Sequence, residues 1–211
     1  MKILLVDDHT VLRQGLKQIL ADGLENVEFG DASNTGEALE KLGAKRWDAV
    51  VLDINLPGRS GLEVLREART RYPRLPVLVL SSAPEEQLGV RVLKAGASGY
   101  LNKQTAPTEL VEALRKLLAG GRYIGPRLAE KLAAELARSE GQPHEQLSDR
   151  EFQVMQKLAA GESLKEIADE LSLSAKTIST FRGRILTKLK LENNVALAHY
   201  AREHGLLQQV D

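Results

Sequence analysis

Along residues 1–121, short apolar runs without alternation recur, each followed by a longer stretch in which apolar residues return every three or four positions. Ile3–Val6 is the first run, and Val11, Leu12, Leu16, Ile19 and Leu20 follow it at helical spacing. The same reading predicts strands at Val27–Phe29, Ala49–Leu52, Val77–Leu80 and Gly99–Leu101. It predicts helices at Asn34–Leu42, entered through Ser33 or Asn34 as cap, and at Gly61–Arg69, Glu85–Ala95 and Pro107–Leu118. Non-alternating apolar strands are those buried on both faces of a parallel sheet. Five such strands, each trailed by a helix after a short connection, imply a doubly wound α/β unit.

Gly120-Gly121 ends this pattern and Gly125-Pro126 punctuates again. Leu128, Leu132 and Leu136, with Ala129 and Ala133, then form a short amphipathic helix. A lone helix of that length is marginal, so it must pack either on the first unit or on a partner subunit. Ser139–Glu145, SEGQPHE, reads as an exposed, flexible linker. From Leu147 the spacing is helical throughout. Ser148 with Glu151, and Ser163 with Glu166, are capping boxes that open two helices. A turn at Ser172-Leu173 leads through Ser174 into a longer helix, Ala175–Lys190, and Val195–His204 supplies a fourth. The expected organisation is therefore a five-stranded parallel α/β unit (1–121), a linker with one helix (122–145) and an all-α four-helix helix-turn-helix unit (146–211).

Composition narrows the chemistry. Twenty-nine basic and twenty-nine acidic residues cancel, so net charge points to no partner. The absence of cysteine excludes disulfides, thiolate zinc sites and a cysteine nucleophile, and fits a reducing compartment. MKILLVDDH reaches two aspartates after too short an apolar run for a signal peptide, and no run approaches the roughly 18 residues needed to span a membrane. The chain reads as soluble and cytoplasmic, with no membrane partner.

The register places polar residues at successive strand ends: Asp7 and Asp8 after the first, Asp53 at the third, Ser81 and Ser82 after the fourth and Lys103 after the fifth. Each alone is as well explained by a turn, a cap or a solvated side chain. If the strand order is flavodoxin-like, these ends converge on one crevice at the carboxyl edge of the sheet. Clustered carboxylates need a cation, and oxygen-only ligands suit Mg²⁺. Such a site fits phosphoryl transfer onto Asp53, with Lys103 neutralising the arriving charge and Ser81 offering it a hydroxyl.

The runs VDDH at Val6–His9, LDINLPG around Asp53 and KAGASGYLNK at Lys94–Lys103 resemble the receiver domain of bacterial two-component response regulators. That resemblance implies a flavodoxin-like fold, with Asp53 as phosphoacceptor and Asp7, Asp8, Asp53 and the backbone carbonyl of Asn55 around Mg²⁺. It also implies that Lys103 contacts the phosphoryl group, that Ser81 and Tyr100 form the switch pair, and that a sensor histidine kinase is the phosphodonor. Gln104 stands where many receivers have proline after the lysine. The alternative of a haloacid dehalogenase phosphatase needs a second acid two residues beyond the nucleophile, and Asn55 cannot donate a carboxylic proton. His9 reads as a local polar residue where a helix begins. No enzymatic activity is expected beyond phosphoryl transfer to, and hydrolysis at, Asp53.

Charge that cancels over the chain concentrates on the Ala175–Lys190 helix, which holds Lys176, Arg182, Arg184, Lys188 and Lys190 and no acid. Ile178, Phe181, Ile185 and Leu189 make its core stripe. Lys176, Thr180, Gly183 and Thr187 lie opposite, flanked by Ser179 and Arg184, while Arg182 sits nearer the core stripe as a local ion pair or snorkelling side chain. A basic face on the long helix of a helix-turn-helix is a major-groove element.

LSDREFQVM and AAGESLKEIADELSLSAKTIST resemble the LuxR-type DNA-binding domain. Joined to a receiver, this identifies the NarL/FixJ class, and the wording leans toward the GacA/UvrY and RcsB branch. The resemblance implies that Ser179, Thr180 and Gly183 read bases and that Lys176, Thr177 and Arg184 lie near phosphates. Lys188 completes the DNA-facing candidates. It further implies a cytoplasmic transcription regulator that dimerises when phosphorylated and binds two half-sites of a double-stranded promoter. Gly183, without a side chain, stands where relatives often carry a longer residue.

Overall fold

The computed structural model describes residues 1–56, 60–136 and 142–207. The expected Pro57-Gly58 turn lies outside them. Elements run β1 (Lys2–Val6), α1 (Thr10–Gly23), β2 (Glu28–Ala32), α2 (Thr35–Ala44), β3 (Ala49–Asp53), α3 (Gly61–Arg71), β4 (Val77–Ser81), α4 (Glu85–Lys94), β5 (Gly99–Asn102), α5 (Ala106–Leu118), α6 (Pro126–Leu136), α7 (Asp149–Ala159), α8 (Leu164–Glu170), α9 (Ala175–Leu189) and α10 (Asn194–Glu203). A 3-10 turn covers Pro143–Gln146. The chain divides into two compact units, Met1–Lys131 and Leu132–Asp211.

In the first unit the strands are parallel in the order β2-β1-β3-β4-β5. Strand residues alternate between faces. Ile3, Leu5, Ala49, Val51, Leu78 and Leu80 join Leu16 and Leu20 of α1 and Leu110, Leu114 and Leu117 of α5 in one core. Leu4, Val6, Val50, Leu52 and Val79 point the other way and are equally buried. Burial on both faces explains why these strands read as continuous apolar runs. The exception is β2, an edge strand of sequence EFGDA with only Ala32 buried. Its register, Lys2↔Glu28 to Val6↔Ala32, lies further along the chain than the apolar pattern suggested. Of the two candidate caps for α2, Asn34 accepts the Glu37 N–H, while the Ser33 hydroxyl donates to Glu37 Oε1. No cis peptide occurs among the described residues, so the bond from Lys103 to Gln104 is trans.

In the second unit both capping boxes form as expected. Phe152, Val154, Met155 and Leu158 of α7 share a core with Ile167, Ile178, Ile185, Leu186, Leu189 and Leu197. Phe181 is only half-buried and Leu186 takes its place, so the stripe on α9 is rotated slightly from the sequence reading. Ser172 adopts a left-handed φ of 53° in the turn between α8 and α9. Ser139 to Gly141 of the expected flexible linker lie outside the described residues. Its remainder is ordered differently from expectation: His144 in the 3-10 turn places Nδ1 3.1 Å from the Tyr200 hydroxyl.

Candidate functional site

The strand order puts the carboxyl ends of β1, β3, β4 and β5 side by side, and the residues picked out at those ends meet there. Asp53 is 1% exposed and Asp7 2%, while Asp8 is half-buried. Lys103 reaches back across the sheet edge, with Nζ 2.7 Å from Asp7 Oδ2 and 2.7 Å from Asp53 Oδ2. Burial pushes the Asp53 carboxyl above its usual range, and the Lys103 ammonium opposes this without overcoming it. On Lys103 burial works against the charge, but Asp53 and Asp7 outweigh it and hold the ammonium above its ordinary value. One ammonium against three carboxylates leaves the pocket short of positive charge.

The same pocket fits a hard divalent cation. Oxygens of Asp7, Asp8 and Asp53, with a His9 ring nitrogen, lie within 4.8 Å of one another. Asp8 Oδ1 is buried without a hydrogen-bond donor in line, although His9 Nδ1 lies 2.9 Å away. A buried carboxylate oxygen left in that state is a ligand atom to a cation or a cost to the fold. Asn55 stands at the pocket through its backbone N–H, which donates to Asp53 Oδ1 at 2.9 Å. His9 precedes α1 and its backbone N–H donates to Asp7 Oδ1, in keeping with a local role.

Ser81 is fully buried, its Oγ accepting the Ala83 N–H at 3.2 Å and meeting the Tyr100 hydroxyl. Tyr100, 1% exposed, donates its hydroxyl to Ala83 O at 2.5 Å. Burial, against the opposing bond to Ser81, raises the phenol far above its usual range, so it stays a donor at any physiological pH. Three residues at the site went unread in the sequence. Asn102 Nδ2 donates to the same Ala83 carbonyl at 3.2 Å. Arg13 donates to Asp7 O from one turn inside α1. Gly61 sits so close behind the pocket that a Cβ there would lie 2.2 Å from the Asp53 carbonyl oxygen. None of the three carries a local pattern that marks it for this site.

On α9, Lys176, Ser179, Thr180, Gly183 and Arg184 lie on one exposed face. Around Gly183 an added Cβ would meet nothing within 4 Å, so this part of the face is smooth backbone. Thr180 and Thr187 donate their hydroxyls to Lys176 O and Gly183 O, which leaves their lone pairs outward. Thr177 is half-buried and shares a 2.8 Å hydroxyl contact with the Ser174 cap. Arg182 turns away from this face and donates to Asn194 Oδ1 at 2.6 Å, a local role with an amide in place of the expected acid. Lys188 is exposed, and its Nζ lies 2.6 Å from Glu151 Oε2, an ion pair with α7. Among the described residues no helix is long and apolar enough to cross a membrane.

Comparison with known proteins gives two family matches, "Response regulator receiver domain" over residues 3–115 and "Bacterial regulatory proteins, luxR family" over residues 145–201. The chain is 37% identical over 210 residues to the response regulator GacA of Pseudomonas syringae, covering 98% of this chain and 97% of that protein. It is 39% identical over 211 residues to the transcriptional activator protein ExaE of Pseudomonas putida, covering 99% of each. Among solved structures it resembles RcsB of Salmonella enterica serovar Typhimurium bound to promoter rprA in the presence of phosphomimetic BeF3−. That likeness has a TM-score of 0.63 and 26% identity and covers 95% of this chain and 97% of that one.

Proposed function

The chain belongs to the response regulators that join a receiver domain to a LuxR-type DNA-binding domain, and from that premise we propose how its residues share the work. Residues 1–121 are the receiver, 122–145 the linker and 146–211 the DNA-binding domain. Asp53 accepts a phosphoryl group from a sensor histidine kinase or a small phosphodonor. One carboxylate oxygen forms the new P–O bond as the donor's bond to phosphorus breaks, and water later hydrolyses the acyl phosphate. The observation that carries this reading is the convergence of Asp7, Asp8, Asp53 and Lys103 in one buried, cation-deficient pocket.

Asp7, Asp8, Asp53 and the Asn55 carbonyl would hold Mg²⁺, which when bound supplies positive charge to the phosphoryl oxygens. Lys103, now shared by two carboxylates, turns to the arriving oxygens. Ser81 donates its hydroxyl to one of them and gives up the Ala83 N–H. Tyr100 and Asn102, both bonded to Ala83 O, move with that segment. The outcome is a homodimer whose second units place α9 in two half-sites of a cytoplasmic promoter. Lys176 and Arg184 contact phosphates, with Thr177 near them, and Ser179, Thr180 and the bare backbone at Gly183 face the bases. Lys188 supports the fold of this unit and is left out of the contact set. RcsB, of the same architecture, is seen on promoter DNA with BeF3− present.

The test is acyl-phosphate mapping after treatment with acetyl phosphate, with and without Mg²⁺. Labelling at Asp53 that requires Mg²⁺ and vanishes in Asp53→Ala is expected. Equal labelling of Asp53→Ala would overturn the assignment.

A further inference from the structure

The linker helix α6 is not free of the receiver, and the way it is held is specific. Leu128, the only fully buried residue among the described side chains of α6, rests against Gly89 of α4, where an added Cβ would lie 2.5 Å from Leu128 Cδ2. Arg127 Nη1 pairs with Glu86 Oε1 at 3.3 Å, and Lys131 Nζ donates to Glu86 O. Ala129 and Ala133, expected on the packed face, are exposed. The carboxylate of Glu85, in the first turn of α4, faces the first turn of α6, within reach of the Leu128 N–H. Gly125, just before α6, makes room for this: a Cβ there would lie 2.2 Å from Glu85 Oε2. A carboxylate at a helix N-terminus satisfies an orphan donor and complements the helix dipole. Here the cap comes from another helix, 43 residues earlier in the chain. Ahead of α6, Tyr123 forms a parallel bridge with Gly99, accepting the Tyr100 N–H at 3.2 Å and donating to Ser98 O at 3.1 Å.

We propose that Glu85, with Gly125 as its socket, is a positioning residue that caps the linker helix from α4 and ties it to the segment that responds to Asp53. Glu85 and Glu86 follow Ser81–Pro84 directly, and Ala83 of that segment is held by Tyr100, whose backbone is bonded to Tyr123. A displacement of Ser81 and Ala83 therefore reaches α6 at two points, its cap and its leading bridge. This rests on the reading that phosphorylation of Asp53 moves Ser81. Glu85 belongs to no local motif, and Gly125 reads in the sequence only as part of the Gly-Pro break before α6.

Residue-resolved hydrogen exchange of the Leu128 amide in the full chain tests it. Glu85→Ala is expected to speed exchange by about fivefold, the size of one lost helix cap, while the amides of β3 and β4 keep their protection. Glu85→Gln, which retains an acceptor oxygen, should restore most of the protection. Gly125→Ala should mimic Glu85→Ala by evicting the carboxylate, and combining the two should add nothing. Unchanged exchange in Glu85→Ala, or independent addition in the double variant, overturns the cap. Beryllofluoride with Mg²⁺ should then lower Leu128 protection in the wild type but not in Glu85→Ala. Occupancy of Asp53, followed by fluorine NMR, separates the two failures. Occupied Asp53 with unchanged Leu128 exchange refutes the coupling alone, whereas no occupancy refutes the phosphoacceptor reading beneath it.

Discussion

Replacing Lys103 by methionine keeps the aliphatic stem and removes the charge, leaving Asp7 and Asp53 buried with no ammonium between them. Both ion pairs measure 2.7 Å. At an effective dielectric constant of about 20 each is worth roughly 6 kcal/mol gross, most of it offset by the desolvation of three buried ions. Removing one partner of such a group costs about 3–5 kcal/mol, because the remaining charges stay uncompensated. With a urea slope near 1.5 kcal/mol/M, the unfolding midpoint of the receiver should fall by roughly 2 M or more at pH 7. Trp47 is the only tryptophan in the chain and is packed into the receiver, with Nε1 bonded to Lys41 O at 2.8 Å, so its fluorescence reports this unit alone. Asp53 is already raised above its unfolded value by burial, and the substitution raises it further. A carboxyl raised on folding favours the fold below its unfolded value and loses that benefit as pH climbs through the folded one. The deficit of Lys103→Met should therefore shrink as the pH is lowered from 7 toward 5. Mg²⁺ at about 100 times its dissociation constant should recover about 2.7 kcal/mol. A variant within about 0.5 kcal/mol of wild type at both pH values would refute the charge balance described for this pocket.

Other consequences can be checked in parallel. Gly61→Ala drives a methyl into the Asp53 carbonyl and should destabilise the receiver by about 1–3 kcal/mol while slowing acetyl phosphate labelling of Asp53. Normal labelling at full stability would count against the close approach. In the second unit Glu151 is buried; burial acts to raise its carboxyl, but Lys188 and the Ser148 cap prevail and hold it below its ordinary value. A depressed carboxyl contributes stability above its unfolded value of about 4.3 and loses it as pH falls through the folded one. Far-UV circular dichroism on urea titration should show this unit weakening below about pH 4 in the wild type, with a flatter profile in Lys188→Ala. Lys176→Ala and Arg184→Ala should each reduce the salt dependence of duplex binding by about one unit of log–log slope, whereas Arg182→Ala should lower stability without touching that slope.

What the sequence disclosed follows from how local each feature is. Asp7, Asp8, Asp53 and Lys103 were legible because each terminates an apolar run, and the parallel order then brings them together. The capping boxes at Ser148 and Ser163 were legible because donor and acceptor lie within one turn. Strand β2 was displaced because an edge strand buries little and EFGDA carries no apolar run. The ion pair of Lys188 with Glu151 left no local sign, since its partner lies 37 residues away. The Glu85 cap, the Tyr123 bridge and the approach of Gly61 to Asp53 all depend on tertiary contacts with no local signature. The 3-10 turn at Pro143–Gln146 was hidden for a similar reason, its His144 being held by Tyr200.

The most direct measurement begins by selecting bound duplexes from a random-sequence pool. The affinity of the full chain for the winning site is then compared with and without beryllofluoride and Mg²⁺, for wild type and Asp53→Ala. A defined two-half-site sequence is expected, with tighter binding of the wild type when treated and an Asp53→Ala protein indifferent to treatment. Equal affinities in all four conditions, or a pool that yields no preferred sequence, would contradict the proposed function.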